Sequence, residues 1–122
     1  MLINIETGKR MENIPTSRKP EYDLWTSRMT LDEIETIREE LNSMIDGTEI
    51  QTSSWMPGTY WEDTPFWPIF DRAAQGDQNT AAKCFGLMVW EVFAKRPEKW
   101  GFGRYEFNGE PIAGMTYFRV DL

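Results

Sequence analysis

The sequence predicts an α+β fold, with about three helices packed against a small, mostly antiparallel sheet that ends in a C-terminal Asn-Gly hairpin. Segments 31–45 and 79–94 carry apolar residues at the three-to-four-residue spacing of a helix. Residues 115–120 instead have the alternating, β-forming composition of a strand. Before them, Asn108-Gly109 is a strong short-range hairpin signal. Helices followed by a run of strands are typical of the α+β class.

Length and composition favour one domain over residues 1–122. Chains usually need about 250 residues before a core splits, and a content of 40% hydrophobic and 14% aromatic residues is enough for a packed core. Residues 6–28 show little periodicity and contain scattered glycine and proline. We therefore predict an extended N-terminal arm over 1–28 and a compact body over 30–122.

The first predicted helix spans residues 31–45. Thr30 and Glu33 have the spacing of a capping box, in which each side chain bonds the backbone N–H of the other residue. Gly47 is placed to end the helix. Its apolar face consists of Leu31, Ile34, Ile37, Leu41 and either Met44 or Ile45.

The same region holds the charge imbalance of the chain. The net charge is −7, yet residues 30–63 contain one basic and nine acidic residues. Glu35, Glu39 and Glu40 therefore predict a docking face for a basic partner, including a decoy that imitates nucleic acid. The alternative is a solvated face that keeps an aromatic-rich protein in solution.

A second helix is predicted to begin at Thr64-Pro65 or at Trp67-Pro68, because proline is tolerated in the first helical turn, and to end at Gly76. Its apolar face consists of Ile69, Phe70, Ala73 and Ala74.

A third helix is predicted over residues 79–94 and is apolar on nearly every side. Such a helix is either central in a core or shared with a partner. Met88, Trp90 and Phe93 are therefore the predicted interface of a homodimer. Cys84 on this helix is interpreted as a buried thiol rather than a nucleophile.

Two further short strands are possible at 2–5 and 49–52, while the Gly101–Gly103 pair indicates a flexible turn rather than a dinucleotide site. Arg104 and Arg119 lie on predicted neighbouring strands. They could bind a carboxylate together, since guanidinium groups suit that geometry, or pair with local glutamates.

Composition excludes several chemistries. The chain has no histidine and one cysteine, which removes imidazole catalysis, histidine–nucleophile pairs and internal disulfides. Glu62, Asp63 and Asp71 are a weak acid/base set, because adjacent residues in an extended segment point in opposite directions. No catalytic residue, metal or cofactor is predicted.

The single cysteine favours a cytoplasmic setting. No apolar stretch is long enough to span a membrane, and the acidic net charge disfavours direct nucleic-acid binding.

Six of the seventeen aromatic residues fall between positions 55 and 70. Aromatic faces in a loop can stack on a ligand or surround a cation, and Glu62 and Asp63 lie within the run. The alternative is that these rings anchor a long loop to the core. The predicted small-molecule site consists of Trp55, Tyr60, Trp61, Glu62, Asp63 and Trp67.

Three sequence blocks, at 64–70, 85–90 and 114–120, resemble small bacterial proteins of unknown activity that are carried on mobile, integron-type gene cassettes. The blocks read Thr-Pro-Phe-Trp-Pro-Ile-Phe, Phe-Gly-Leu-Met-Val-Trp and Gly-Met-Thr-Tyr-Phe-Arg-Val. The region they span covers about half of the chain. The resemblance implies a compact accessory domain that is often oligomeric, and it assigns no functional residue.

These observations together predict a non-catalytic, soluble binding or interaction domain that forms a homodimer. The second hypothesis is a small-molecule binder that uses the aromatic segment 55–70. The third is an acidic decoy or docking protein for a basic partner.

Overall fold

The computed structural model describes most of the chain. Its side chains are described over residues 1–11, 13–48, 61–104 and 115–120, and strands 50–52, 106–107 and 110–111 are described by their backbone.

The described residues form three α-helices and two short turns of other helix types. Helix α1 spans Lys19–Ser27 and follows a 3₁₀ turn at Thr16–Arg18. Helix α2 spans Leu31–Ile45, and helix α3 spans Gln78–Lys95. A π-helical turn at Ile69–Ala73 lies between α2 and α3 in the sequence. Among the described residues, no helix is long and apolar enough to cross a membrane.

Seven short strands in the described part of the chain complete the α+β fold. Five form one mixed sheet in the order β2-β1-β4-β7-β3, in which only the β1–β4 pairing is parallel among the described strands. A separate two-stranded sheet joins β5 to β6. The strands are β1 Leu2–Ile3, β2 Arg10–Met11, β3 Ile50–Thr52, β4 Trp100–Gly103, β5 Glu106–Phe107, β6 Glu110–Pro111 and β7 Thr116–Arg119. The predicted class is confirmed.

Helix α2 has the predicted bounds, and its predicted apolar face is buried except for Leu31, which is 81% exposed in the first turn. The Oγ1 of Thr30 accepts a hydrogen bond from the Glu33 backbone N–H at 3.1 Å, and Glu33 Oε1 accepts one from the Thr30 N–H at 2.8 Å. Gly47 follows the helix with φ of 78°, a conformation that glycine adopts without steric cost. The capping box and the stop signal therefore fix both ends of α2.

The extended arm predicted over residues 1–28 is wrong in its second half, which is helix α1. Pro20 lies in the first helical turn, where a missing N–H leaves no bond unmade. Tyr22 and Trp25 are both buried and lie three residues apart on one face. A helix of nine residues with two large apolar anchors produces too weak a periodic pattern to predict.

The predicted second helix is present as a π-helix at Ile69–Ala73, directly after Trp67-Pro68. Its backbone hydrogen bonds join residues that are five apart, rather than four as in an α-helix. The Ala74 N–H, for example, donates to the Ile69 carbonyl at 2.8 Å. Ile69 and Ala73 are fully buried, so the predicted apolar face is present. The widened turn follows Pro68, which cannot donate a helical bond itself.

The predicted turn around Gly101 is instead strand β4. Gly101 lies directly opposite Phe118 of β7, and a Cβ at this position would overlap the Phe118 ring. This glycine is therefore required by a close cross-strand contact rather than by a turn.

Helix α3 occupies the centre of the core. It packs against α1, α2 and the π-helical turn. Through Phe93 it also contacts the sheet, with ring-centroid distances of 4.0 Å to Tyr117 and 4.8 Å to Trp100. Layers on both sides explain why its sequence is apolar nearly all round.

Strands β5 and β6 pair antiparallel, with Glu106 opposite Pro111 and Phe107 opposite Glu110. This is the pairing that the Asn-Gly dipeptide predicts. Asn108 and Gly109 themselves lie outside the described residues.

Candidate functional site

Trp61, the centre of the predicted aromatic site, belongs to the core. Its side chain is 3% exposed, and its indole N–H donates to Gln78 Oε1 at 2.8 Å. Its ring meets Phe85 of α3 edge-on at 5.8 Å. Glu62 and Asp63, which follow it, are exposed. Trp61 therefore anchors its segment to α3, as the alternative interpretation of the aromatic run expected.

Trp67 is half-buried and joins the same stack. Phe70 lies between the two indoles, at 5.4 Å from Trp67 and 6.1 Å from Trp61. The stack fills the space that a caged ligand would need between these two rings. Trp55 and Tyr60 lie outside the described residues, so their assignment to a ligand site stays a prediction.

The predicted dimer interface on α3 faces the interior of the chain. Met88, Trp90 and Phe93 are 1%, 8% and 0% exposed. An interface at these residues was predicted because α3 is apolar on nearly every side. Packing within one chain explains that apolar sequence without a second subunit.

The predicted acidic face lies partly along a charged groove between α2 and the C-terminal half of α3, with a volume of about 900 Å³. Glu35 and Glu39 are exposed and line the groove, while Glu40 is half-buried and does not. Arg38 bridges Glu35 at 3.0 Å and Glu91 of α3 at 2.6 Å. The groove is therefore a network of mixed charge rather than a uniformly acidic surface.

A second concavity, the basic cleft, has a different character. It lies beside α3, between the segment before α1 and strands β4 and β7, and has a volume of about 380 Å³, within the range of small-molecule sites. Three cationic side chains line it: Arg18, Lys83 and Arg104. Its other lining residues are Pro15, Ala82, Gly86, Leu87, Trp90, Met115 and Tyr117.

Among the described residues, few negative charges oppose the cations of the basic cleft. No carboxylate lines it among the described residues, although the whole chain carries −7. Within the described part of the chain, no acidic side chain forms an ion pair with Lys83 or Arg104. Arg18 meets Glu21 at 3.4 Å on the surface, a contact that contributes little. The cleft thus offers three cations to an anion.

Tyr117 provides a neutral hydrogen-bond donor in the cleft. Its ring stacks on Phe93 and is 2% exposed. Burial raises the pKa of its hydroxyl well above the usual range, and the charge of Arg104 opposes that shift only in part. The hydroxyl therefore keeps its proton and remains a neutral donor.

Trp90 forms a fixed aromatic wall of the cleft. Its indole N–H donates to the Asn13 carbonyl at 3.1 Å, and its ring meets Phe102 edge-on at 4.7 Å. Trp90 and Tyr117 are buried, whereas the three cationic side chains are exposed. The cleft accordingly combines a buried aromatic base with an exposed, positively charged mouth.

Gly86 lines the cleft from within α3. Apart from its chain neighbours and the backbone of its own helix, no described atom lies within 4 Å of the position that its Cβ would occupy. Glycine inside a helix costs about 1 kcal/mol relative to alanine, and here neither packing nor a positive φ requires it. Gly86 leaves space in the cleft that any other residue would occupy.

Cys84 and the predicted arginine pair do not form reactive or carboxylate-binding groups. Burial raises the pKa of the Cys84 thiol to about 12, so the thiolate that a nucleophile needs is absent at neutral pH. Within the described ranges, no group of three or more acidic or cysteine side chains is placed to hold a metal ion. Arg104 lies by the cleft, whereas Arg119 lies over the Trp100 ring at 5.6 Å. The two arginines are at opposite ends of the β4–β7 pairing, so they do not bind one carboxylate together.

Sequence reasoning singled out Arg104 and Trp90 for other roles, and it missed the cleft that contains them. Arg18, Lys83 and Arg104 come from three distant segments, which no local pattern connects. One local signal was present: Gly86 interrupts an otherwise strong helical sequence.

Comparisons of the chain with protein families, curated proteins and solved structures found no match. The resemblance to proteins of mobile gene cassettes therefore stays a prediction.

Proposed function

We propose that this protein is a non-catalytic binding domain and that its basic cleft binds a small organic anion with an apolar body. One observation carries the proposal: three cations and no described carboxylate surround a buried aromatic base in a protein of net charge −7. Arg18 has only a weak surface contact with Glu21, and a cleft lined by charges of one sign attracts ligands of the opposite sign.

The shape of the cleft supports an amphipathic ligand. Trp90 and Tyr117 provide apolar contact area at its base, and Arg18, Lys83 and Arg104 provide charge at its mouth. The aromatic rings are already held by Phe102 and Phe93, so binding requires little ordering of the base.

A titration with 2-naphthoate and its uncharged analogue 2-naphthamide tests the proposal. Isothermal titration calorimetry should show 2-naphthoate binding more tightly, because only the acid carries the charge that the cleft attracts. Equal affinities, or binding of neither compound, would overturn the proposed function.

Lys83→Gln and Lys95→Gln form a matched pair of variants on α3. Both lysines are exposed, but Lys83 lines the basic cleft and Lys95 lines the charged groove. We expect Lys83→Gln to weaken 2-naphthoate binding about fivefold and Lys95→Gln to change it less than about twofold. The same loss in both variants would point to a general charge effect and contradict a site at the cleft.

The other hypotheses stay predictions. A homodimer would have to use surfaces other than Met88, Trp90 and Phe93, which are buried within the chain. Docking of a basic partner on α2 would depend on Glu39, which is exposed and has no ion pair among the described residues. A reducing, cytoplasmic setting is proposed because the single cysteine is a buried, free thiol.

A further inference from the structure

We propose that Gly86 determines the size of the ligand in the basic cleft and that this ligand is a flat aromatic carboxylate. The inference rests on the proposed function, because it names the class of anion that the same cleft accepts.

Gly86 differs from the other glycines whose surroundings the structure gives. Gly8, Gly47 and Gly76 have positive φ angles that favour glycine. Gly101 is required because a Cβ would overlap the Phe118 ring. Gly86 has neither reason, since its backbone is helical and its Cβ would meet no described atom within 4 Å beyond its chain neighbours and its own helix backbone.

The space beside Gly86 is continuous with the cleft. Ala82, Gly86 and Trp90 lie four residues apart on one face of α3, and all three line the cleft. The two small residues leave a shallow groove along this face of α3, which ends at the buried indole of Trp90. Any side chain at position 86 would project into this groove.

The apolar surfaces fit a planar ring. Trp90 and Tyr117 offer two aromatic walls that are held by their own ring contacts, and aromatic groups pack well against such rings. Met115 and Leu87 complete the apolar lining with adaptable side chains.

The polar groups fit a carboxylate. Arg104 and Tyr117 both line the cleft, so a guanidinium and a neutral phenol belong to the same site. A guanidinium fork and one hydroxyl match the two oxygens of a planar carboxylate. A phosphate would have to place further charged oxygens toward the apolar base, which disfavours burial.

The test measures the affinities of benzoate, 2-naphthoate, 2-naphthamide and inorganic phosphate for the full chain and for Gly86→Ala, Gly86→Leu and Asn79→Leu. Asn79 is an exposed residue of α3 outside the cleft, so it controls for added bulk on the helix. Melting temperatures are measured in parallel.

Gly86→Ala should raise the melting temperature by ~4 °C and weaken 2-naphthoate binding about fivefold while leaving benzoate within about twofold. Gly86→Leu should weaken both acids about tenfold or more, and Asn79→Leu should weaken neither. A more stable variant that binds less tightly cannot owe its loss to unfolding.

The failures of the two proposals are distinguishable. If the unsubstituted protein binds 2-naphthoate no better than 2-naphthamide, the proposed function fails and the inference fails with it. If it prefers 2-naphthoate but Gly86→Leu binds equally well, only the size role of Gly86 is wrong. If inorganic phosphate binds more tightly than either acid, the carboxylate class is wrong and the anion site remains.

Discussion

Gly86 and Gly101 have opposite surroundings, and replacing each by alanine should change stability in opposite directions. A Cβ at Gly101 would overlap the Phe118 ring, whereas one at Gly86 would enter open space. We expect Gly101→Ala to lower the free energy of unfolding by about 1–3 kcal/mol and Gly86→Ala to raise it by up to about 1 kcal/mol. Urea denaturation of both variants measures the two changes.

A double substitution identifies the cause of the Gly101 effect. If overlap with the Phe118 ring is responsible, Gly101→Ala should cost much less in a Phe118→Ala background than in the unsubstituted protein. An equal loss in both backgrounds would contradict the close contact between β4 and β7.

The thiol of Cys84 should be inert in the folded protein. It is buried in α3, and burial raises its pKa to about 12, so neither access nor thiolate is available near pH 8. We expect the thiol reagent DTNB to react with it only after unfolding in guanidinium chloride. Rapid labelling of the native protein would contradict the position of α3 in the core.

Helix α2 is the element whose sequence signals act most independently of the rest of the chain. The capping box between Thr30 and Glu33 satisfies backbone N–H groups at its first turn. We expect Thr30→Ala to lower the free energy of unfolding by about 1 kcal/mol and Thr30→Ser to change it little, because serine can accept the same bond. Similar losses in both variants, measured by urea denaturation, would show that the cap contributes nothing specific.

The end of α3 is tied to α2 by Arg96. Its guanidinium contacts the side-chain oxygen of Asn42 at 2.7 Å, Asp46 at 2.6 Å and Glu98 at 2.7 Å. Burial alone would raise the pKa of Glu98, but a backbone hydrogen bond together with the bond and charge of Arg96 lowers it below its ordinary value of 4.5. Glu98 therefore stabilises the fold in its ionised form.

Acidification should remove this contribution. A carboxyl whose pKa is lower in the folded state stabilises fully above the unfolded pKa and loses that effect as pH falls through the folded pKa. We expect the free energy of unfolding to fall more steeply below about pH 4.5 in the unsubstituted protein than in Glu98→Gln. Parallel pH profiles would contradict the Arg96–Glu98 pair.

Elements with local signals were predictable, and elements fixed by distant contacts were not. The bounds of α2 follow from its cap, its apolar face and Gly47. Helix α1 has only two buried residues among its nine. So few apolar positions do not predict a helix unless the surface against which they pack is known. The strand at Gly101 likewise depends on Phe118, which lies seventeen positions further along the chain.

At the scale of the whole molecule, the charge of the chain and the charge of its candidate site have opposite signs. The net charge of −7 predicted a docking face on α2. The charged residues that line the basic cleft in the described part of the chain are instead all positive. The sequence could not reveal this cleft, because Arg18, Lys83 and Arg104 meet only after α1, α3 and β4 have packed.

The measurement that tests the central claim most directly is an NMR titration of the ¹⁵N-labelled protein with 2-naphthoate. The account predicts that shift changes concentrate on the residues of the basic cleft, including the Gly86 amide and the Trp90 indole. Changes concentrated in segment 55–70 would support the aromatic-segment hypothesis instead, and changes along Glu35 and Glu39 would place the site in the charged groove. Either of those results would contradict a site at the basic cleft.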